Sequence, residues 1–350
     1  MTTGMTLNGM SVMPMTNLQG LSALRGQGRA IYTGDAALDS GMAFLLGELE
    51  KQDPKIREPL SAVTWPRDIV SKTGGGWVEF TSMMNVGYAS VGGNANGIIG
   101  GQTNAIPIMQ ADLGKDLFKV FTFGHILKVP FIDQAKLQQI GRSLPELLEQ
   151  GIQLNYQKAL DQNVYTGYAE LGTEGIVNHS QIAITSAASV TVGSTTSTLW
   201  KSKTADEILD DINQAITDTW VAAEYDLSGM PNHILIPPEQ YALLVSRKVS
   251  EAGNVSLLTY LMENNIAKNQ GIEISIQPCR WCIGAGTNGK DRMVVYVNDE
   301  RMLYFDITVP LTRVITQPSV TDMAYMTAYA GQHGEVKFAY YETARYVDGI

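Results

Sequence analysis

Apolar positions along this 350-residue chain alternate between helical and strand spacing, and the switches between them mark out the elements. Leu38, Met42, Leu45, Leu46 and Leu49 fall on one helical face, and Pro54 closes that segment. Ser143-Leu-Pro-Glu146 is a capping box. It opens a helix with Leu144, Leu147, Leu148, Ile152, Tyr156 and Leu160 on one side, reaching about Asn163 and about 30 Å long at 1.5 Å per residue. A second capping box, Thr204-Ala-Asp-Glu207, starts a helix that turns Ile208, Ile212, Ala215, Ile216 and Trp220 inward. The strand His233–Ile236 then runs into Pro237 and Pro238, which a first helical turn tolerates because its amides lack intrahelical partners. That helix is expected to bury Tyr241, Leu244 and Val245, and another follows with Leu257, Leu258 and Leu261. Strands are expected from about Ile106 to Ile132, at Ile272–Ile276 and at Met293–Val297. Ser186–Ser197 suits an exposed strand or loop. Leu303, Phe305, Ile307 and Val309 alternate with polar residues, as do Val336, Phe338 and Tyr340, the period of a one-sided sheet.

Two segments break these patterns. Residues 1–24 contain no charged side chain, and Met1, Met5, Met10, Met13 and Met15 show no helical spacing. Such an arm is expected to be held by neighbouring subunits, with Met5, Met10 and Met13 among its contacts. Between Gly74 and Gly101 there are nine glycines and one charge, Glu79. Trp77–Tyr88 reads as a strand, Gly92–Gly97 as a turn and 98–108 as a return strand. An isolated two-stranded ribbon is marginal in water. It is therefore expected to lie on an adjacent subunit through Trp77, Phe80, Met83, Met84 and Tyr88.

Composition narrows the function. The chain is 44% apolar and 17% charged, with a net charge of −10. A weakly charged surface suits burial against other subunits, and an acidic balance argues against a nucleic-acid reader. The longest apolar runs, such as Met42–Leu46, have about five residues, whereas a membrane span needs roughly 20. The first 24 residues have neither the basic start nor the apolar run of a signal peptide. Cys279 and Cys282 form a lone C-R-W-C after a strand, which reads as two reduced structural cysteines rather than a zinc site or a redox pair.

Searches for catalytic chemistry end without a site. Gly284–Lys290, GAGTNGK, resembles both a dinucleotide loop and a phosphate loop. Each needs a helix directly afterwards, and here a strand pattern, DRMVVYV, follows. Asp291 also stands where a phosphate loop needs Ser or Thr. His125, His179, His233 and His333 lie far apart in sequence. No G-x-S-x-G elbow occurs. A pair of glycosidase-like carboxylates stays open on sequence grounds, although Asp210 and Asp211 are read as exposed on their helix. No enzyme, cofactor or metal is predicted.

Several collinear segments resemble tailed-bacteriophage major capsid proteins of the Hong Kong 97 type. They are Phe44–Leu60, Tyr168–His179, Thr204–Asn213, Ile234–Leu244, Leu257–Asn265, Gly289–Tyr296 and Tyr346–Ile350. The resemblance implies an α+β fold with N-terminal arm and helix (1–62), extended β-hairpin loop (63–105), peripheral domain with a long spine helix (106–200), α/β axial domain (201–300) and returning peripheral strands (301–350). It implies a virion capsid shell of hexamers and pentamers around double-stranded DNA, assembled in the host cytoplasm. DNA would be enclosed without sequence-specific binding. Portal, scaffolding and decoration proteins and a terminase-driven packaging system are the partners it implies, with no membrane. Polar loops at Arg247–Asn254 and Asn264–Gly271 would crowd the ring centres, through Arg247, Lys248, Glu251, Asn264 and Lys268. The alternatives are an encapsulin-like compartment and a cofactor-binding α/β enzyme.

Overall fold

The computed structural model describes residues 5–7, 10–12, 62–91, 106–139, 144–192, 195–249 and 255–350. The chain divides into two compact units, Met1–Leu60 and Ser61–Ile350. In the first, β1 (Met5–Leu7) and β2 (Met10–Val12) pair antiparallel, Met5 opposite Val12. The helix expected over Leu38–Leu49, the turn expected at Gly92–Gly97, and the residues Met13, Ser143 and Glu251 lie outside the described residues.

The second unit begins with the short helix α1 (Trp65–Asp68) and strand β3 (Val70–Thr73). Two long strands follow, β4 (Phe80–Val91) and β5 (Ile108–Pro130). Helices α2 (Phe131–Gln139) and α3 (Leu144–Thr166) lead to β6 (Ala183–Ser186) and a small hairpin, β7 (Val190–Val192) with β8 (Thr195–Ser197). Helix α4 (Ala205–Ala222) precedes β9 (His233–Ile236), α5 (Pro238–Ser246), α6 (Leu257–Glu263) and α7 (Ile266–Asn269). The rest is strand: β10 (Ser275–Pro278), β11 (Arg292–Tyr296), β12 (Leu303–Ile307), β13 (Val309–Ser319), β14 (Ala324–Gly334), β15 (Val336–Phe338) and β16 (Ala344–Asp348).

A five-stranded sheet in the order β10-β9-β11-β16-β6 organises the interior. Its central strands, HILI and RMVVY, are buried along their whole length, the mark of a sheet covered on both faces. Alternate residues feed two cores. Leu235, Val294, Tyr296 and Tyr346 join Tyr156, Leu160, Val164 and Tyr165 of α3 and Phe305 of β12. Ile234, Ile236, Met293, Val295 and Val347 join Ile208, Ile212 and Ile216 of α4, with Leu244, Leu257 and Leu261. Two of the five strands, β6 and β16, come from outside 201–300, so that segment does not close its own sheet.

The expected helices form, with local differences. Helix α3 spans 23 residues; Ile152, Tyr156 and Leu160 face the core, whereas Leu148 is exposed. The box at Thr204 is complete: Glu207 N–H donates to Thr204 Oγ1 and Thr204 N–H donates to Glu207 Oε2. In α5 Leu244 is buried but Val245 is exposed, because consecutive residues of a helix point about 100° apart. Asp211, read from sequence as exposed, is buried. It accepts bonds from Trp200 Nε1 (2.9 Å), Ala188 N (3.3 Å) and Lys203 Nζ. Only Asp210 faces water. The alternation expected across β15 also fails. Lys337 is 1% exposed between Val336 and Phe338, since its ammonium meets Asp306 and lies 5.0 Å above the Phe118 ring. Strand β15 ends at Phe338, and Tyr340 stands outside it, exposed. Among the described residues no helix is long and apolar enough to cross a membrane.

Candidate assembly surfaces

Strand β4, FTSMMNVGYASV, contains no charged residue and no proline. It pairs with β5 in an unbroken antiparallel register from Phe80 opposite Lys119 to Val91 opposite Ile108. At roughly 3.4 Å per residue this ribbon is about 40 Å long. The return arm begins at Ile108, later than the 98–108 strand read from sequence; residues 92–105 lie outside the described set. Beyond the ribbon, β5 continues from Val120 to Pro130 as the partner of β14.

Because side chains alternate across a strand, the register sorts the ribbon into two unlike faces. One carries Phe80, Met84, Val86 and Tyr88 beside Met109, Leu113 and Leu117, each between 48% and 75% exposed, with Lys119 and Lys115 opposite Phe80 and Met84. The other carries Met83, Asn85, Gly87 and Ala89 beside Gln110, Asp112 and Asp116, with Val91 opposite Ile108 at its outer end, and Asn85 Nδ2 donates to Asp116 Oδ2 at 2.6 Å. Scattered exposed apolar residues are ordinary, but seven large ones gathered on one face of a ribbon, interrupted there by Ser82, Ser90, Lys115 and Lys119, make a candidate interaction surface. Of the expected contact residues, Phe80, Met84 and Tyr88 share the apolar face, and Trp77 lies before the ribbon, also exposed. Met83 sits on the opposite face, opposite Asp116. Met109, Leu113 and Leu117 were missed because the sequence reading closed the hairpin too early; their even spacing in β5 was the available signal.

The ribbon's root is fastened to the body. Gln332 clamps Val78 from both sides, its Oε1 accepting from Val78 N–H (3.0 Å) and its Nε2 donating to Val78 O (2.7 Å). Lys119 N–H donates to Glu335 Oε1 and Lys119 Nζ to Leu171 O, each at 2.8 Å. Gly74, Gly75 and Gly76 connect β3 to this root at φ of 130°, 111° and 73°. A Cβ there would meet nothing within 4 Å, so the backbone conformation, not crowding, selects glycine.

The loops at the far end of the α5–α6 region behave differently from a set of free charges. Arg247 turns inward, donating to Lys203 O and Trp200 O. It thereby ties the end of α5 to the turn at Trp200–Ser202 within its own unit. Lys248 and Asn264 are exposed. Lys268 Nζ donates to Glu273 Oε1 at 2.7 Å.

The glycine-rich loop Gly284–Lys290 runs through a single turn, Thr287–Gly289, into strand β11 rather than a helix. Its inner space is filled by Asp348. That carboxylate accepts from Thr287 N–H (2.7 Å) and Thr287 Oγ1 (2.8 Å) and takes Arg292 in a fork at 2.7 and 2.9 Å. Burial raises the Asp348 pKa, but the Arg292 and Thr287 bonds outweigh it and hold the group below the usual carboxylate range. The chain's own anion thus occupies the place a phosphate would take. Cys279 and Cys282 are free and buried, and burial pushes the Cys282 thiol up, away from the reactive thiolate.

The profile of the major capsid protein family matches residues 93–350. The capsid of Myoviridae phage XM1 aligns over 87% of this chain and 98% of its own, with TM-score 0.71 and 16% identity. A chain of Microbacterium phage Oxtober96 aligns over 85% and 92%, with TM-score 0.55 and 11% identity. The capsid of a native GTA particle aligns over 90% and 98%, with TM-score 0.56 and 10% identity. No curated protein sequence matches.

Proposed function

Because this chain belongs to the major capsid protein family and has the Hong Kong 97-type fold, we propose that it assembles as hexamers and pentamers into an icosahedral shell around double-stranded DNA. The observation that carries the reading is the fastened, amphipathic ribbon, which has an apolar face far larger than its own body covers. Laid across an adjacent subunit, each fully buried Leu, Met or Phe contributes roughly 1.5–3 kcal/mol. Repeated around a ring and across a lattice, individually modest contacts give a durable shell. The net charge of −10 suits a wall that contains DNA without gripping it. In this proposal 63–105 and its partner arm form the extended loop, 106–200 and 301–350 the peripheral domain and 201–300 the axial domain. The loops around Lys248, Asn264 and Lys268 then face the ring centres. Portal, scaffolding and decoration proteins are the partners such a shell requires, and the finished shell belongs to the virion after assembly in the host cytoplasm.

Negative-stain microscopy of the purified protein, with and without a scaffolding partner, tests this directly. Closed shells are expected from the full chain. Excising both ribbon arms, residues 82–117, and joining Thr81 to Phe118 through a tight turn should leave a folded subunit and no shells. A full-length chain that stays monomeric under all these conditions, or an excised variant that still closes, would overturn the reading.

A further inference from the structure

Buried carboxylates in this chain are held as anions by neutral donors as well as by a basic partner. Asp68 accepts from Tyr165 Oη beside Arg67. Asp161 accepts from Thr64 N–H, Trp65 N–H and Trp281 Nε1 beside Arg280. Asp211 accepts from Trp200 and Ala188 beside Lys203, and Asp348 from Thr287 beside Arg292. Hydrogen bonds of this kind favour the charged form. Asp306 has none of them. Among the described residues, Lys337 is the one hydrogen-bond partner of its carboxylate.

Lys337 is confined in the same way. Its side chain is 1% exposed and that of Asp306 14%. The Lys337 ammonium has no second acceptor among the described residues, and it lies 5.0 Å from the Phe118 ring centre and 5.2 Å from that of Tyr304. Strands β12 and β15 run side by side here, with Tyr304 opposite Lys337. The sheet thus holds an amine against the carboxyl of the neighbouring strand, under two aromatic rings.

Two charges taken out of water with a single bond between them are costly to keep. An arginine so placed stays charged, because a guanidinium does not give up its proton in a protein. A lysine can pass one proton across to the carboxylate, leaving a neutral amine, the nucleophilic form, against a carboxylic acid. The amine nitrogen then attacks Asp306 Cγ. A Cγ–O bond breaks, and the hydroxyl leaves with a second amine proton as water. One ammonium and one carboxylate become one neutral amide and one water, with nothing oxidised or reduced and no other reactant. Groups held in contact react at effective concentrations of up to about 10⁵–10⁸ M, and the product removes both buried charges.

We propose that Lys337 and Asp306 join in an isopeptide bond within one chain. The bond reinforces a short ladder, since β12 and β15 share three residue pairs. Strand β12 also pairs with β3, which leads through Gly74–Gly76 to the ribbon, and Phe118 stands opposite Thr81 at the ribbon root. The bond closes a ring from 306 to 337 that contains the whole β13–β14 hairpin, and it fastens that ring beneath the root.

Intact-mass measurement of the denatured full chain, taken from unassembled subunits, tests the bond. The native chain is expected to be one water lighter than its sequence requires, and Lys337→Arg, which keeps the charge, to have its full sequence mass. After trypsin, peptides 302–313 and 314–345 should appear joined and uncut after Lys337. On a denaturing gel the native chain, with its ring closed, should run ahead of Lys337→Arg. A native chain of full mass, cleavage after Lys337 that frees 302–313, or a lost water located elsewhere, such as between Lys203 and Asp211, would overturn the proposal. The bond lies within one chain, so these outcomes are read independently of whether shells form.

Discussion

One step along helix α4 separates Asp210, which faces water, from Asp211, which holds together Trp200, Lys203 and Ala188 in the interior. Lys203 is itself buried, so truncating Asp211 strands an ammonium away from water. Losing one partner of a buried pair costs about 3–5 kcal/mol. Asp211→Ala should therefore lower the free energy of urea unfolding by about that much, and Asp210→Ala by less than about 0.5 kcal/mol. Equal effects would refute the assignment. The double change Lys203→Met with Asp211→Leu should recover most of the loss. His333 gives a second test at this scale. It is 1% exposed, with Nε2 3.2 Å from Tyr168 Oη, and burial lowers its pKa from 6.5 to about 4. A folded pKa below the unfolded value means stability is fully present above pH 6.5 and is lost as pH falls towards 4. The total is roughly 3 kcal/mol for a shift of this size. His333→Gln should flatten the pH dependence of subunit unfolding between pH 6.5 and 4, and an unchanged slope would show that His333 takes no part.

At the scale of elements, the ribbon is the part whose large exposed side chains carry the proposed assembly. Its two faces predict opposite responses to the same insult. Val86→Lys or Leu113→Lys puts a charge into the apolar face, which is open to water in the free subunit. Unfolding of the subunit should change by less than about 0.5 kcal/mol, while the yield of shells falls steeply. Gln110→Lys, on the polar face, should change shell yield little. Light scattering of assembling protein separates the outcomes, and equal loss on both faces would mean that the register does not select the docking face. Much of this element was readable in advance. The β-rich, uncharged stretch from Trp77 to Tyr88 announced a strand, and β4 forms there from Phe80 onward with its large side chains exposed. The register was not readable, because a glycine-rich connection gives no local signal for where pairing resumes. Met83 was consequently assigned with its neighbours, and Leu113 and Leu117 were overlooked. Capping boxes, by contrast, are written in local sequence, and the one at Thr204 forms as expected. Burial of Asp211 and Lys337 depends on partners 8 and 31 positions away, which periodicity along a single element cannot reveal.

For the whole molecule, the proposed peripheral and axial parts of 61–350 share one compact unit. The five-stranded sheet belongs to both cores. Met293 and Val294 are adjacent in β11, yet Met293 packs with α4 and Val294 with α3. Strand β16 lies beside β11 and divides its own residues in the same way, Tyr346 to one core and Val347 to the other. Neither core can come apart without exposing a face of the sheet that the other requires. Residues 61–350 should therefore unfold in one transition, with calorimetric and van't Hoff enthalpies equal, although a chain of this length could hold two domains. Met293→Ala and Val294→Ala act on opposite cores and should each move that single transition. The expected cost is about 2–5 kcal/mol for the methionine and less for the smaller valine. Two resolved transitions, with Met293→Ala shifting one and Val294→Ala the other, would show that the cores fold separately. A shared sheet makes mechanical sense in a shell subunit, because a load applied at the ribbon root on β5 and β14 passes through α3 into the same sheet that supports the loops around Lys248 and Lys268. In the proposed shell, stiffness of this kind would let the ribbon and the loops act on neighbouring subunits without the subunit yielding between them.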